Sequence, residues 1–296
     1  MELSFSLDYL RKKREVTSPR SIEDMAALCH SAGFRYVDYS PDFRADEWEK
    51  LAHHDRLALD RAEIRVEQTH APFNRYLQYR DEDFPVYYRR LFEASKILGA
   101  KYVVVHADEY RTVSGRYDYD EILNFTYDYL APFVEYAEKN GMIVAIENVF
   151  EDKTRHCPQI GGRSRFTSTA EELKAVIEKF NTPSVACCWD FGHAKCAFGK
   201  EGMLDAMKKL GKYIVCTHVH DNYYEKDLHL MPFMGDTPWE DNLAYLKEIG
   251  YQGKLSFEFA YGSLPEELLP VWLNMVYATG EYMLSLYNGK KSLIGR

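Results

Sequence analysis

KNGMIVAIEN, residues 139–148, joins a glycine that can end a helix to a short apolar run that finishes on a glutamate and an asparagine. The same order recurs in SAGFRYVDYS (31–40), ILGAKYVVVHAD (97–108), KLGKYIVCTHVHDN (209–222) and EIGYQGKLSFEF (248–259). Glycine suits the left-handed position that closes a helix, and nearly continuous apolar runs are typical of parallel strands covered on both faces. The repeat therefore predicts helices alternating with parallel strands.

Eight strands are predicted by this pattern, near 3–7, 34–39, 63–69, 101–105, 142–146, 184–189, 213–219 and 254–259. Helices are predicted between them, for example at 21–31, 86–98, 121–139, 169–180, 239–249 and 265–285. Dividing 296 residues among eight units gives 37 per unit, which favours a closed (βα)₈ barrel, or TIM barrel, over an open doubly wound sheet. We predict an α/β protein with one barrel domain over 1–287 and a C-terminal tail over 288–296.

Composition and charge exclude several classes of partner. The net charge is −9, whereas a protein that binds duplex nucleic acid usually carries a basic stripe against the phosphates. No apolar run reaches the roughly 18–20 residues of a membrane span. The six cysteines form no C-x-x-C pair and several lie in apolar runs, as expected of reduced thiols. We expect a cytoplasmic protein with a small-molecule substrate and no nucleic-acid or membrane partner, and leave homo-oligomerisation open.

Polar side chains of metal-binding types follow six of the predicted strands. Three of them are carboxylates, Glu147, Asp190 and Glu258, at the ends of strands five, six and eight. The active sites of such barrels lie at this end of the strands, and close carboxylates repel one another by several kcal/mol in order of magnitude. Since no lysine or arginine occupies these three strand ends, a bound cation is the simplest neutralising charge.

Four motifs resemble those of the xylose isomerase-like barrel superfamily, which includes sugar and sugar-phosphate isomerases and epimerases as well as endonuclease IV. They are VAIENV (144–149), CCWDFGHA (187–194), THVHDN (217–222) and LSFEF (255–259), supported by DLHLMPFMGDTPWEDNLAYLKEIGY (227–251). Together they are specific for the superfamily but not for one substrate.

The resemblance implies a set of site residues. The metal ligands would be Glu147, Asp190, His220 and Glu258, a donor set that suits Mn²⁺, Mg²⁺ or Co²⁺, with Zn²⁺ also possible. Glu147 and Glu258 would also exchange the substrate proton. The expected substrate-contacting residues are His70, His106, Asn148, His193, Lys226, Asp227 and His229. Lys226 stands where the epimerases have an arginine, which puts that contact in doubt, and a structural role is expected for His218.

Three functions are compatible with these residues. The favoured one is a metal-dependent sugar or sugar-phosphate isomerase or epimerase that works by proton transfer through an enediolate. A lyase of the inosose dehydratase type would use similar ligands. Endonuclease IV holds three zinc ions with nine ligands, and each type has a counterpart here, but the acidic balance argues against a nuclease. We predict one strongly bound ion, with Asp227 and His229 outside its coordination. Arg155, Arg163 and Arg165 are expected in a solvated loop, or against a substrate phosphate.

Overall fold

Eight parallel strands form a nearly closed barrel, as predicted. The structure is a computed structural model, and it describes residues 1–11, 20–73, 83–107, 117–151, 163, 165–224 and 226–290. The strands are β1 Leu3–Ser6, β2 Tyr36–Asp38, β3 Arg65–His70, β4 Tyr102–Val105, β5 Ile143–Glu147, β6 Val185–Asp190, β7 Ile214–His218 and β8 Leu255–Phe257. Consecutive strands pair in parallel from β1 to β7, and β8 pairs with β1.

The barrel closes between β7 and β8 at a single bridge between Val219 and Phe257. Val219 donates its backbone N–H to Ser256 at 2.7 Å and accepts one from Glu258 at 3.1 Å. Val219 is the first residue after β7, so this bridge places the end of β7 beside the end of β8.

Helices surround the barrel in the order that the repeat predicts. In the described part of the chain they are α1 Asp8–Arg11, α2 Ile22–Ala32, α3 Trp48–Arg61, α4 Phe84–Leu98, α5 Tyr119–Lys139, α6 Ala170–Phe180, α7 Phe191–Leu210, α8 Trp239–Glu248 and α9 Leu269–Tyr287. The six helices predicted from the sequence all overlap with members of this set. The barrel helix α9 ends at Tyr287; of the predicted tail, residues 291–296 lie outside the described residues.

The helix ends follow from local sequence. Gly33 and Gly99 end α2 and α4 with φ of 112° and 75°, a conformation that costs other residues energy because of their Cβ. At the start of α6, Thr169 accepts the backbone N–H of Glu172, whose side chain in turn accepts the N–H of Thr169. These two reciprocal hydrogen bonds form a capping box, which satisfies two backbone donors at the start of the helix.

Alternation along the strands separates an inner layer of the barrel from an outer one. The inner layer is a small cluster of Tyr102, Val104, Ala145, Cys188 and Cys216, whereas the intervening residues belong to the large core shared with the helices. Because strand side chains alternate in direction, the residues two positions after Ala145, Cys188 and Cys216 also point into the barrel, at its C-terminal mouth. The five cysteines in the described residues are free thiols, and no helix there is long and apolar enough to cross a membrane.

Candidate metal and substrate site

The strand alternation brings Glu147, Asp190 and His218 to the C-terminal mouth of the barrel, where Glu258 joins them directly after β8. One ligand atom of each of these four residues lies within 4.8 Å of the others. Nδ1 of His218 is 3.3 Å from Oε1 of Glu147 and 3.2 Å from Oε2 of Glu258. We call these four residues the carboxylate cluster.

His218 lies among all three carboxylates, whereas the expected ligand His220 groups with Asp190 and His193 and with His229 and Glu258. His220 follows the end of β7 by two residues; its Nε2 is 3.1 Å from Asp190, and its ring stacks on His229 at 4.0 Å between centroids. Strand β7 ends at His218, which is its last inward-facing residue, and Val219 then bridges to Phe257 of β8. A structural role is expected for His218, and its place among the carboxylates makes it an alternative ligand to His220.

The environment of His218 fits a bound cation. Its Nε2 lies 3.0 Å from Oδ2 of Asp38, an oxygen that also accepts a hydrogen bond from Gln68 at 3.0 Å. Because the Nε2–H of His218 donates to Asp38, Nδ1 faces the carboxylates, and this buried atom has no hydrogen-bond partner. Either a proton or a metal ion must lie there, and a carboxylate that orients a histidine is a common arrangement behind metal ligands.

Charges in the cluster shift the pKa values of its members in opposite directions. Burial opposes ionisation of Glu147, but the charge of His218 and the hydrogen bonds from His106 and His193 hold its pKa well below the usual range. Burial likewise disfavours the charged form of His218, yet Glu258 and Glu147 raise its pKa well above the usual value. The site therefore favours an ionised Glu147 and a positive charge beside it.

Asp190 belongs both to the cluster and to helix α7. Its side chain accepts the backbone N–H of His193 at 2.6 Å and so caps the helix. The first turn of α7 passes very close to His220, since a Cβ on Gly192 would stand 1.8 Å from Cε1 of the His220 ring. Only glycine at 192 lets the His220 ring lie against the start of α7.

Three further histidines surround Glu147. Nε2 of His70 and Nε2 of His106 are 3.1 and 3.2 Å from the same oxygen, Oε2. Nδ1 of His193 is 2.9 Å from the other oxygen, Oε1. Glu147, which is 1% exposed, is thus the central acceptor of the site.

Asp227 and His229 lie on the loop after β7 and reach the same mouth. Oδ2 of Asp227 is 3.3 Å from Nε2 of His229 and 3.7 Å from Nε2 of His193. Against the effect of burial, the hydrogen bond from Asp227 raises the pKa of His229 to about 9. Tyr9 donates its hydroxyl to Oε1 of Glu258 at 3.4 Å and lies 3.0 Å from Nδ1 of His229.

Two expected substrate contacts are placed differently from the others. The amide of Asn148 accepts the backbone N–H of Asp190 at 2.8 Å and donates to its carbonyl at 2.9 Å, so Asn148 positions Asp190 and has little left for a substrate. Lys226 is exposed on the loop after β7.

A pocket opens beside the cluster. It has a volume of about 360 Å³, and its walls include Tyr9, Phe43, His70, Phe73 and Glu258. Pockets of this size take small ligands, and the mixture of aromatic faces and polar groups suits a polyhydroxylated molecule.

The burial of Arg165 was not expected from the sequence, which names this arginine only in a solvated loop or against a substrate phosphate. Arg165 is 2% exposed and lies against His106, whereas Arg163 forms ion pairs with Glu151 and Glu172. The expected solvated loop is therefore wrong for Arg165, and Arg155 lies outside the described residues. A charged residue in a polar loop carries no local signal of its burial.

Comparison with known proteins identifies the family of this chain. The family model described as xylose isomerase-like TIM barrel matches residues 26–272. The chain belongs to the xylose isomerase-like TIM barrel family.

Relatives of this xylose isomerase-like protein cover different shares of its length. An uncharacterized protein of Methanocaldococcus jannaschii, MJ1311, is 29% identical over 170 residues, or 57% of this chain, and the match spans about half, 54%, of that protein. A D-tagatose 3-epimerase-like protein superposes with a TM-score of 0.72 over 97% of this chain and 98% of its own, at 22% identity. The IolI protein with a bound zinc atom gives 0.71 over 98% and 100%, at 19% identity. These two structures share the fold.

The two histidines of THVHDN make a matched pair for testing the ligand set. His218→Ala is expected to weaken divalent-metal binding by at least about 100-fold, because loss of a partner that merely orients a ligand already costs about 10–100-fold. His220→Ala is expected to weaken metal binding by no more than about 10-fold, since the four residues of the carboxylate cluster remain in this variant. Titration calorimetry with Mn²⁺ and Zn²⁺ measures both. A larger loss from His220→Ala would restore the original ligand set.

Proposed function

We propose that this protein is a divalent-metal-dependent isomerase or epimerase of sugars or sugar phosphates. The observation that carries the proposal is the placement of Glu147 and Glu258, which reach the same nitrogen of His218 from β5 and from the end of β8. Two carboxylates from different sides of one barrel mouth can act on two faces or two carbons of a bound substrate. The epimerase-like neighbour supports this reaction class.

The carboxylate cluster would hold the metal through Glu147, Asp190, His218 and Glu258. A divalent ion bound there would polarise a substrate carbonyl and the adjacent hydroxyl, and so acidify the C–H beside them. The donor set fits Mn²⁺, Co²⁺, Mg²⁺ or Zn²⁺, and the zinc-bound IolI neighbour is consistent with one of these.

Proton transfer falls to the two glutamates. One carboxylate removes the acidified proton as general base, which leaves an enediolate, and the same or the other carboxylate returns it. Return to the neighbouring carbon gives an isomer, and return from the opposite face gives an epimer. Hydrogen bonds from His106 and His193 keep Glu147 ionised and oriented for this step.

The remaining polar groups would bind substrate oxygens. His70 lines the pocket, while His193, Asp227 and His229 form a connected row at the mouth. Their side chains offer both donors and acceptors, as hydroxyl groups require. The exposed Lys226 would meet only a substrate that extends out of the pocket.

A multi-metal hydrolase of the endonuclease IV type is a second candidate, favoured by one observation. Asp227 lies 3.7 Å from His193 and 3.3 Å from His229, and His70 and His106 both reach Glu147, so groups for further ions lie beside the carboxylate cluster. The net charge of −9 opposes this function, because phosphate neutralisation supplies most of the affinity for DNA.

Solvent isotope exchange tests the proposal and separates it from its rivals. Ketoses, ketose phosphates and inososes are incubated with the protein and Mn²⁺ in deuterated water, and products are analysed by NMR and mass spectrometry. We expect deuterium at one carbon of an isomerised or epimerised sugar. Loss of water from an inosose would indicate a lyase instead. Incision of duplex DNA at an abasic site, without exchange into any sugar, would replace the proposal by the nuclease.

A further inference from the structure

Arg165 makes an unusual contact with a histidine of the site. Its guanidinium lies over the ring of Phe150, 5.5 Å from the centroid, and Nη2 is 3.3 Å from Nδ1 of His106. Arginine has N–H donors and no acceptor. In this contact Nδ1 of His106 must therefore accept the hydrogen bond and cannot carry a proton.

The other nitrogen of His106 then carries the ring proton. A neutral imidazole has one N–H and one lone pair, so the proton is on Nε2, which lies 3.2 Å from Oε2 of Glu147. His106 therefore donates to the glutamate. A histidine in this state has no lone pair on Nε2 with which to bind a metal ion.

His70 approaches the same oxygen with an acceptor at each of its ring nitrogens. Its Nδ1 is 2.7 Å from the carbonyl oxygen of Ala71, which can only accept, so Nδ1 carries a proton. Nε2 of His70 is 3.1 Å from Oε2 of Glu147 and donates to it. Loss of this Nε2 proton to make room for an ion would leave the tautomer found in metal-binding histidines, whose second nitrogen donates to a carbonyl or carboxylate.

We propose that Arg165 is a positioning residue that holds His106 as a hydrogen-bond donor to Glu147 and keeps it from binding a metal ion. The proposal rests on the role given above to Glu147, since His106 would orient this carboxylate for proton transfer. An additional ion beside Glu147 would have His70 but not His106 as a ligand. The guanidinium also adds a fixed positive charge that repels such an ion. His106 and His70 thus have different roles, since His106 orients Glu147 and only His70 could bind an additional ion.

The ring-nitrogen signals of His106 test this directly in the full chain labelled with ¹⁵N-histidine. His106→Asn assigns the signals, and Zn²⁺ serves as a diamagnetic ion. We expect wild-type His106 to carry its proton on Nε2 with and without Zn²⁺. Arg165→Met should move the proton to Nδ1 or leave a mixture, and Arg165→Lys, which retains a donor, should keep the wild-type pattern. A proton on Nδ1 of wild-type His106 would overturn the proposal.

Zinc stoichiometry gives a second readout that does not depend on turnover. Arg165→Met frees His106 to act as a ligand, so equilibrium dialysis should show about one more Zn²⁺ per chain than in wild type, and the double variant Arg165→Met/His106→Asn should lose it. An unchanged zinc content together with an unchanged tautomer in Arg165→Met would refute the role of Arg165. If Arg165→Met does not fold, the wild-type tautomer still decides. Absence of sugar turnover, with the expected tautomer present, would count against the proposed function alone.

Discussion

Replacing Glu147 by glutamine is expected to reduce deuterium exchange into the substrate by at least the roughly 10²–10⁴-fold typical of one general base. The change keeps the size of a side chain that is almost completely buried, but it removes the base and one negative charge of the carboxylate cluster. Glu258→Gln should cause a loss of the same order. The exchange rate at saturating Mn²⁺, with the metal content of each sample measured, checks both variants.

Glu135→Gln provides the matched control. Glu135 lies on the outer helix α5, where it pairs with Lys139 in solvent, and the same chemical change there should leave exchange unaltered. Near-normal exchange in Glu147→Gln or Glu258→Gln with the metal bound would remove that residue from proton transfer. If the loss of exchange disappears when variant and wild type contain the same amount of metal, the substituted residue acts only as a metal ligand.

Removal of divalent metal is expected to abolish turnover and to lower the melting temperature. An ion that binds only the folded chain adds about 2.7 kcal/mol to the free energy of unfolding at 100 times its Kd, which corresponds to several degrees in a chain of this length. The ion relieves repulsion among Glu147, Asp190 and Glu258, so its stabilising effect should be strongly reduced in His218→Ala. Differential scanning calorimetry after exhaustive chelation, and again after addition of Mn²⁺ or Co²⁺, measures this shift.

Two results would contradict a metal site. One is full activity in protein shown by elemental analysis to contain no divalent metal. The other is a melting temperature that responds equally to added metal in wild type and in His218→Ala, because the ions would then be binding elsewhere.

The barrel could be predicted from the sequence because each of its units repeats one local signal. A glycine ends each of several helices and an apolar run follows, and neither depends on distant contacts. The same pattern predicts that the residues at three strand ends lie near one another, since parallel strands in a barrel end at one mouth. These residues are Glu147, Asp190 and Glu258.

The choice between His218 and His220 could not be made locally. Both flank Val219 in THVHDN, and the sequence does not show that β7 ends at His218. The burial of Arg165 has the same origin, because it depends on where the loop after β5 meets His106, which lies on another unit of the barrel.

The loop after β7 is held at both ends by one buried side chain. Asp221 accepts the backbone N–H groups of Asn222, Phe233 and Thr237 and the indole N–H of Trp239, at 2.9 to 3.1 Å. Its own backbone pairs with Leu230 in both directions. Because this one side chain fixes both ends of the segment that carries Asp227 and His229, we expect substitutions at these two residues to change the barrel mouth while the strands beneath keep their places.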